Sequence, residues 1–174
     1  MNCTPPPRYD GLYVDRDCFY KNYDIGMTVR FPGKWRIETD PRKMNRSARS
    51  FARSLGLFGS DLLFSGVTAD GNQAVRCIVE NANMTVSEYA EGVRKANRRE
   101  VNDDSEMTVI EPGSGGPIRW EYSVGAYRFA EYFYKFDTYD IRMAFWTNRS
   151  TFERFRSVYD ETAKAVKNVS GGPD

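Results

Sequence analysis

From Ile118 to Val124 the side chains alternate apolar and polar, Ile118-Arg119-Trp120-Glu121-Tyr122-Ser123-Val124, the two-residue period of a half-buried β-strand. Arg128–Phe136 and Tyr139–Thr147 carry two more strands, and Ser150-Thr151-Phe152-Glu153 then opens a helix with capping-box grammar. In that helix Phe152, Phe155, Tyr159, Ala163 and Val166 recur at spacings of three and four, an apolar stripe that must lie on a sheet. No stretch constrains the fold more tightly than 118–167. It dictates architecture and no chemistry: it holds no nucleophile beside a base, no metal spacing and no phosphate loop.

The upstream chain repeats the same vocabulary. Ile25, Met27, Val29 and Phe31 alternate with Gly26, Thr28 and Arg30; Pro32-Gly33 turns the chain, and Trp35 and Ile37 alternate again, so a hairpin is expected. A helix is expected from Lys43 to Leu55, then strands over Leu62–Gly66 and Gln73–Glu80 about an Asp70-Gly71-Asn72 turn. Thr85-Val86-Ser87-Glu88 is a second capping box, starting a helix that reaches about Arg99. Met107–Ile110 reads as a short strand and Pro112–Pro117 as a loop. Residues 1–21, Pro-rich at first, read as a tether whose later part packs on the domain. A single α+β domain spans 22–170, and 171–174 form a tail.

Composition narrows function mostly by exclusion. Histidine is absent, which removes imidazole acid–base catalysis, Ser-His-Asp and Cys-His triads and the commonest zinc sets. Cys3, Cys18 and Cys77 form no metal pattern, with Cys77 on the apolar side of its strand and a Cys18–Cys77 bridge left open. No metal site, cofactor or catalytic residue is therefore expected, and the chain reads as a non-enzyme. A net charge of +1 gives no global attraction for nucleic acid, and no apolar run is long enough to form a transmembrane helix. No charged-then-apolar leader is seen, so no signal peptide is expected within these residues. Gly113-Ser114-Gly115-Gly116 lacks the Gly-Lys-Ser/Thr ending of a phosphate loop. Five Asn-X-Ser/Thr sequons, at Asn2, Asn45, Asn83, Asn148 and Asn168, are read mainly as helix caps.

Three features offer contact chemistry. On the Lys43–Leu55 helix, Arg42, Arg46, Arg49 and Arg53 fall in one stripe opposite Met44, Ala48, Phe51 and Leu55, a row of guanidinium groups suited to phosphate or carboxylate oxygens. Its bland reading is a solvated helix face. Trp120, Tyr132, Tyr134 and Trp146 are candidates for an aromatic-lined pocket, against the alternative that both sheet faces are simply covered. Cys3-Thr4-Pro5-Pro6-Pro7 is similar to the start of a mature bacterial lipoprotein, which makes Cys3 a lipidation candidate and points to the cell envelope, with the cytoplasm as alternative.

The order of elements, with the opening Tyr23-Asp24-Ile25-Gly26-Met27-Thr28-Val29-Arg30-Phe31-Pro32-Gly33-Lys34-Trp35 and the closing aromatic hairpin and helix, resembles the Mog1/PsbP-like proteins over about residues 23–167. The resemblance implies an α/β/α sandwich with a central antiparallel sheet, in families that mostly act as non-catalytic binding or assembly factors. It transfers no binding residue. The functional expectation is a non-enzymatic binding or assembly-factor domain, tethered at the cell envelope and contacting a protein partner or an anionic membrane surface. A small-molecule binding protein is the alternative, and a hydrolase with an unrecognised acidic site is third.

Overall fold

The computed structural model describes residues 3–111 and 116–169. The expected tail, and most of the loop expected over 112–117, lie outside them.

The central layer is an antiparallel sheet of eight strands. β4 (Trp35–Glu38), β5 (Ser60–Thr68), β6 (Gln73–Glu80), β11 (Tyr139–Asn148), β10 (Tyr127–Phe136), β9 (Ile118–Val124) and β7 (Asp103–Asp104) lie side by side in that order, and β8 (Thr108–Val109) also pairs with β9. A second, four-stranded sheet has the order β1 (Gly11–Val14), β2 (Phe19–Asn22), β3 (Met27–Arg30), β12 (Lys167–Asn168). Three helices are described: α1 (Arg46–Gly56), α2 (Val86–Ala96) and α3 (Phe152–Lys164).

Strand alternation assigns the layers. On β6, Val75, Cys77 and Val79 join β10's Tyr132 and Tyr134, β11's Met143 and Phe145, and α3's Phe152, Tyr159 and Ala163 in the main core, together with Met27 and Val29 of the small sheet. The intervening side chains point the other way. Ile78 meets Leu55 of α1, and Phe133 meets Tyr89 of α2. So α3 and the small sheet cover one face while α1 and α2 cover the other, which is the expected α/β/α sandwich.

Two elements differ from the sequence expectation. Ile25–Phe31 and Trp35–Ile37 do not form a hairpin: β3 pairs with β2, and β4 pairs with β5. At Pro32-Gly33 the chain crosses between sheets instead of folding back, with Gly33 at φ 101° supplying a left-handed conformation that other residues avoid. Phe31 and Trp35 both enter the main core, 5.9 Å apart between ring centroids. The partner that displaces the hairpin comes from residues 11–22, all but the last expected above as part of the 1–21 tether, which form β1 and β2.

Helix signals fared unevenly. Thr85 Oγ1 accepts from Glu88 N–H at 3.1 Å and the Glu88 carboxylate accepts from Thr85 N–H at 3.1 Å, so the α2 capping box is present. Replacing Thr85 by alanine is expected to cost about 1 kcal/mol, read as a lower urea midpoint; an unchanged midpoint would mean the cap contributes nothing. At α3 the expected Ser150 cap is absent. Asn148 Oδ1 accepts instead from Ser150 N–H and Oγ, and the helix begins after Thr151.

Candidate functional site

The arginine helix is shorter than its sequence signal. Pro41–Lys43 is a separate 3-10 turn capped by Asp40, and Met44 is extended, so α1 starts only after Asn45, whose side chain accepts from Ala48 N–H at 2.9 Å. Arg42 therefore lies outside the helix. Its guanidinium pairs with Asp40 at 2.8 Å, and this hydrogen bond holds the Asp40 carboxyl below its ordinary range and raises Arg42 further. Arg42 leaves the stripe because it sits in this separate turn, where Asp40 pairs with it.

Arg46, Arg49 and Arg53 remain. At about 100° per residue they share an arc of about 80° with Leu57, which continues in helical conformation at the C-cap. Arg46 and Arg49 form no ion pair among the described residues. The row is unfavourable for an isolated helix: Arg46 opposes the positive N-terminal dipole, α1 has no acid in its first turn, and Arg49 and Arg53 repel at i,i+4. Leu57 and Phe58 are 84% and 80% exposed, large apolar side chains standing in water where the helix ends. Arg53 Nη1 donates to Thr4 Oγ1 at 3.0 Å, which places the exposed Cys3 at the same edge of the molecule. Pro5–Tyr9 continue along Ala52, Gly56 and Leu62. Cys3, the three arginines and Leu57 thus lie along one edge of α1, with the exposed Phe58 next in the chain where the helix ends.

The other flank of α1 forms a cleft with the sheet. A hollow of about 200 Å³ is lined by Asn45, Ser47, Ala48 and Phe51 of the helix region and by Ala74, Arg76 and Trp146 of the sheet. The Arg76 guanidinium carbon lies 4.4 Å from the Phe51 ring centroid and 5.4 Å from that of Trp146. Trp146 stacks on Phe129 at 5.2 Å and Phe129 on Tyr122 at 4.9 Å, a row of rings crossing three neighbouring strands. Beside it, Arg142 Nη1 and the Tyr122 hydroxyl both donate to the Glu131 carboxylate, at 3.1 and 2.7 Å. Burial, and then the Glu131 charge, raise the Tyr122 hydroxyl well above its ordinary range, so it stays a donor.

The four candidate pocket aromatics do not converge. Trp120 is buried beneath α2, whereas Tyr132 and Tyr134 point to the α3 face, where their hydroxyls donate to Asp160 Oδ1 and the Ala163 carbonyl, each at 2.7 Å. Strand alternation on β10 and β9 puts them on opposite sides of the sheet, and only Trp146 lines the cleft. Cys77 is buried and free, its thiol pushed up by burial, and Cys18 is free as well. The acids near α3 are tied to arginines: Glu121 to Arg156 at 2.8 Å and Asp160 to Arg119 at 2.6 Å. Sequence reasoning missed Arg76, Leu57 and Phe58. The Leu57-Phe58 signal was an apolar pair between Gly56 and Gly59, and Arg76 was a cation opposed to the apolar face of its strand.

No family model matches the chain, and no curated protein matches it. Among solved structures it is similar to the solution structure of cyanobacterial PsbP (CyanoP) from Synechocystis sp. PCC 6803, with a TM-score of 0.54 and 11% identity over 86% of this chain and 91% of that one. At that identity the similarity is one of fold, and the PsbP-like resemblance holds at that level.

Proposed function

We propose that this chain is a non-catalytic binding domain, tethered at the cell envelope through Cys3, that lies on an anionic membrane surface along α1. The observation that carries the reading is the single edge shared by Arg46, Arg49, Arg53, the exposed Leu57 and Cys3, with the exposed Phe58 at its end. Arginines attract anionic head groups, apolar side chains enter the interface below them, and an acyl chain adds the second signal that stable anchoring needs. A face whose charges strain its own helix is better explained by a contact than by solvation. The PsbP-like fold supports a binding or assembly role over catalysis.

Sedimentation with vesicles of phosphatidylglycerol in phosphatidylcholine tests this on the unlipidated chain. Each arginine near such a surface contributes about 1 kcal/mol, so the triple change R46Q/R49Q/R53Q should weaken binding about 100-fold. Added salt should weaken the wild type in the same direction. Leu57→Ser with Phe58→Ser should remove the binding that persists in high salt. Equal binding by wild type and the triple variant, or no binding to anionic vesicles at all, would overturn the reading and leave a protein partner as the occupant of α1.

A further inference from the structure

The geometry points to a second site, independent of the membrane reading: we infer that the cleft between α1 and β6/β11 binds a small organic carboxylate, with Arg76 holding the carboxylate and the cleft walls holding an apolar body.

The argument begins with charge. Arg76 is a partly buried arginine on a central strand of the sheet. Its Nε is buried without a hydrogen-bond partner, and its guanidinium makes no hydrogen bond or ion pair among the described residues. An unsatisfied buried donor costs about 1–3 kcal/mol, and more when charged. The contrast with Arg142 on the adjacent strand is direct, because Arg142 has Glu131. No carboxylate among the described residues pairs with Arg76, so an anion from solution is the missing partner.

Packing then sets the geometry. Phe51 and Trp146 approach the guanidinium at 4.4 and 5.4 Å from their centroids, attracting the cation while offering it no acceptor. A guanidinium held against rings presents its N–H edge, the fork that meets a carboxylate through two parallel hydrogen bonds. Across the strand pair, Arg76 lies opposite Ala144 and Trp146 opposite Ala74, so two short side chains leave the hollow unfilled. Asn45 and Ser47, at the start of α1, add polar atoms at its wall.

Size and polarity choose the ligand class. About 200 Å³ is below the roughly 300 Å³ at which drug-sized pockets begin, so a nucleotide or a large cofactor does not fit. Ala48, Phe51, Leu62, Val67, Ala74 and Trp146 make much of the lining apolar. One cation in such a setting matches one negative charge on an apolar body, and a phosphate dianion lacks its second cation.

NMR on the full chain, following the Arg76 Nε–H and Trp146 indole N–H signals, tests the inference with sodium benzoate as probe. Saturable shifts of both signals below about 10 mM are expected. Arg76→Gln should weaken benzoate binding tenfold or more, and Arg76→Lys should recover only part, since an ammonium keeps the charge and loses the planar fork. Wild-type protein titrated with benzyl alcohol, which has the ring without the charge, should respond at least tenfold more weakly, and this readout does not depend on a variant folding. No saturable shift with benzoate, equal response to benzyl alcohol, or tighter binding of inorganic phosphate would each overturn the assignment. Vesicle binding is unchanged by benzoate if the two sites are separate, so failure here is distinguishable from failure of the α1 surface.

Discussion

Glu131→Ala is expected to destabilise the fold by about 3–5 kcal/mol, the range for removing one partner of a buried ion pair. Glu131 is 1% exposed in the middle of the central sheet, between the Tyr122 hydroxyl and the Arg142 guanidinium. Burial pulls the Arg142 guanidinium down, but the Glu131 charge and hydrogen bond, together with Tyr89 and Tyr122, more than offset it, so Arg142 stays charged in a place water barely reaches. Alanine at 131 leaves that cation alone and orphans the Tyr122 hydroxyl. Urea denaturation should show a large drop in midpoint with little change in slope. Adding Arg142→Met should recover a substantial part of the loss, because an apolar replacement of the whole pair avoids the stranded charge. A single variant within about 1 kcal/mol of wild type would mean that water already solvates Arg142 and that the cluster contributes little.

A loss of similar size, about 3–5 kcal/mol, is expected for Phe145→Ala on the opposite face. Phe145 is fully buried and stacks on Tyr159 of α3 with centroids 4.7 Å apart and planes 10° apart. It also meets Trp35 at 5.8 Å, Tyr132 at 6.3 Å and Phe31 at 6.5 Å, so it is where α3, the central sheet and the crossing from β3 to β4 come together. Truncation removes the ring's transfer energy and leaves a cavity between elements that cannot all move inward. Phe145→Leu should cost clearly less, since it refills most of the volume. Denaturation followed by tryptophan emission reads both the stability and the changed surroundings of Trp35. Similar midpoints for the alanine variant and wild type would show that the core collapses around the gap.

Much of the frame was legible because its signals are local. The period-two runs of β9, β10 and β11 set which side chains share a face, and the Thr85 box set where α2 starts, each within a few residues of the chain. The failures share one cause. Trp35 and Ile37 alternate as a hairpin strand should, but alternation does not name the neighbour, and β2 supplied β3 with a partner from a segment that looked like a tether. Arg42 has the helical spacing of the stripe, yet Asp40 and Asn45 are both cap residues, and their competition decided that Arg42 sits in a separate turn with a carboxylate of its own. Tyr132 and Trp120 looked like companions until the register put them on opposite faces.

The sequence by itself determined the elements, their apolar faces and the layered class, because strand and helix periods are written in neighbours two to four residues apart. The tertiary structure alone decided which cations are neutralised and which are left waiting. In the sequence Arg142 and Arg76 are alike, each a cation between apolar residues of its strand. Only the pairing of β11 with β10 brings Glu131 to the first, and only the approach of α1 and β11 surrounds the second with Phe51 and Trp146 and, among the described residues, no paired carboxylate. Whether a charge is satisfied depends on atoms a few ångströms away, and those atoms come from distant parts of the chain.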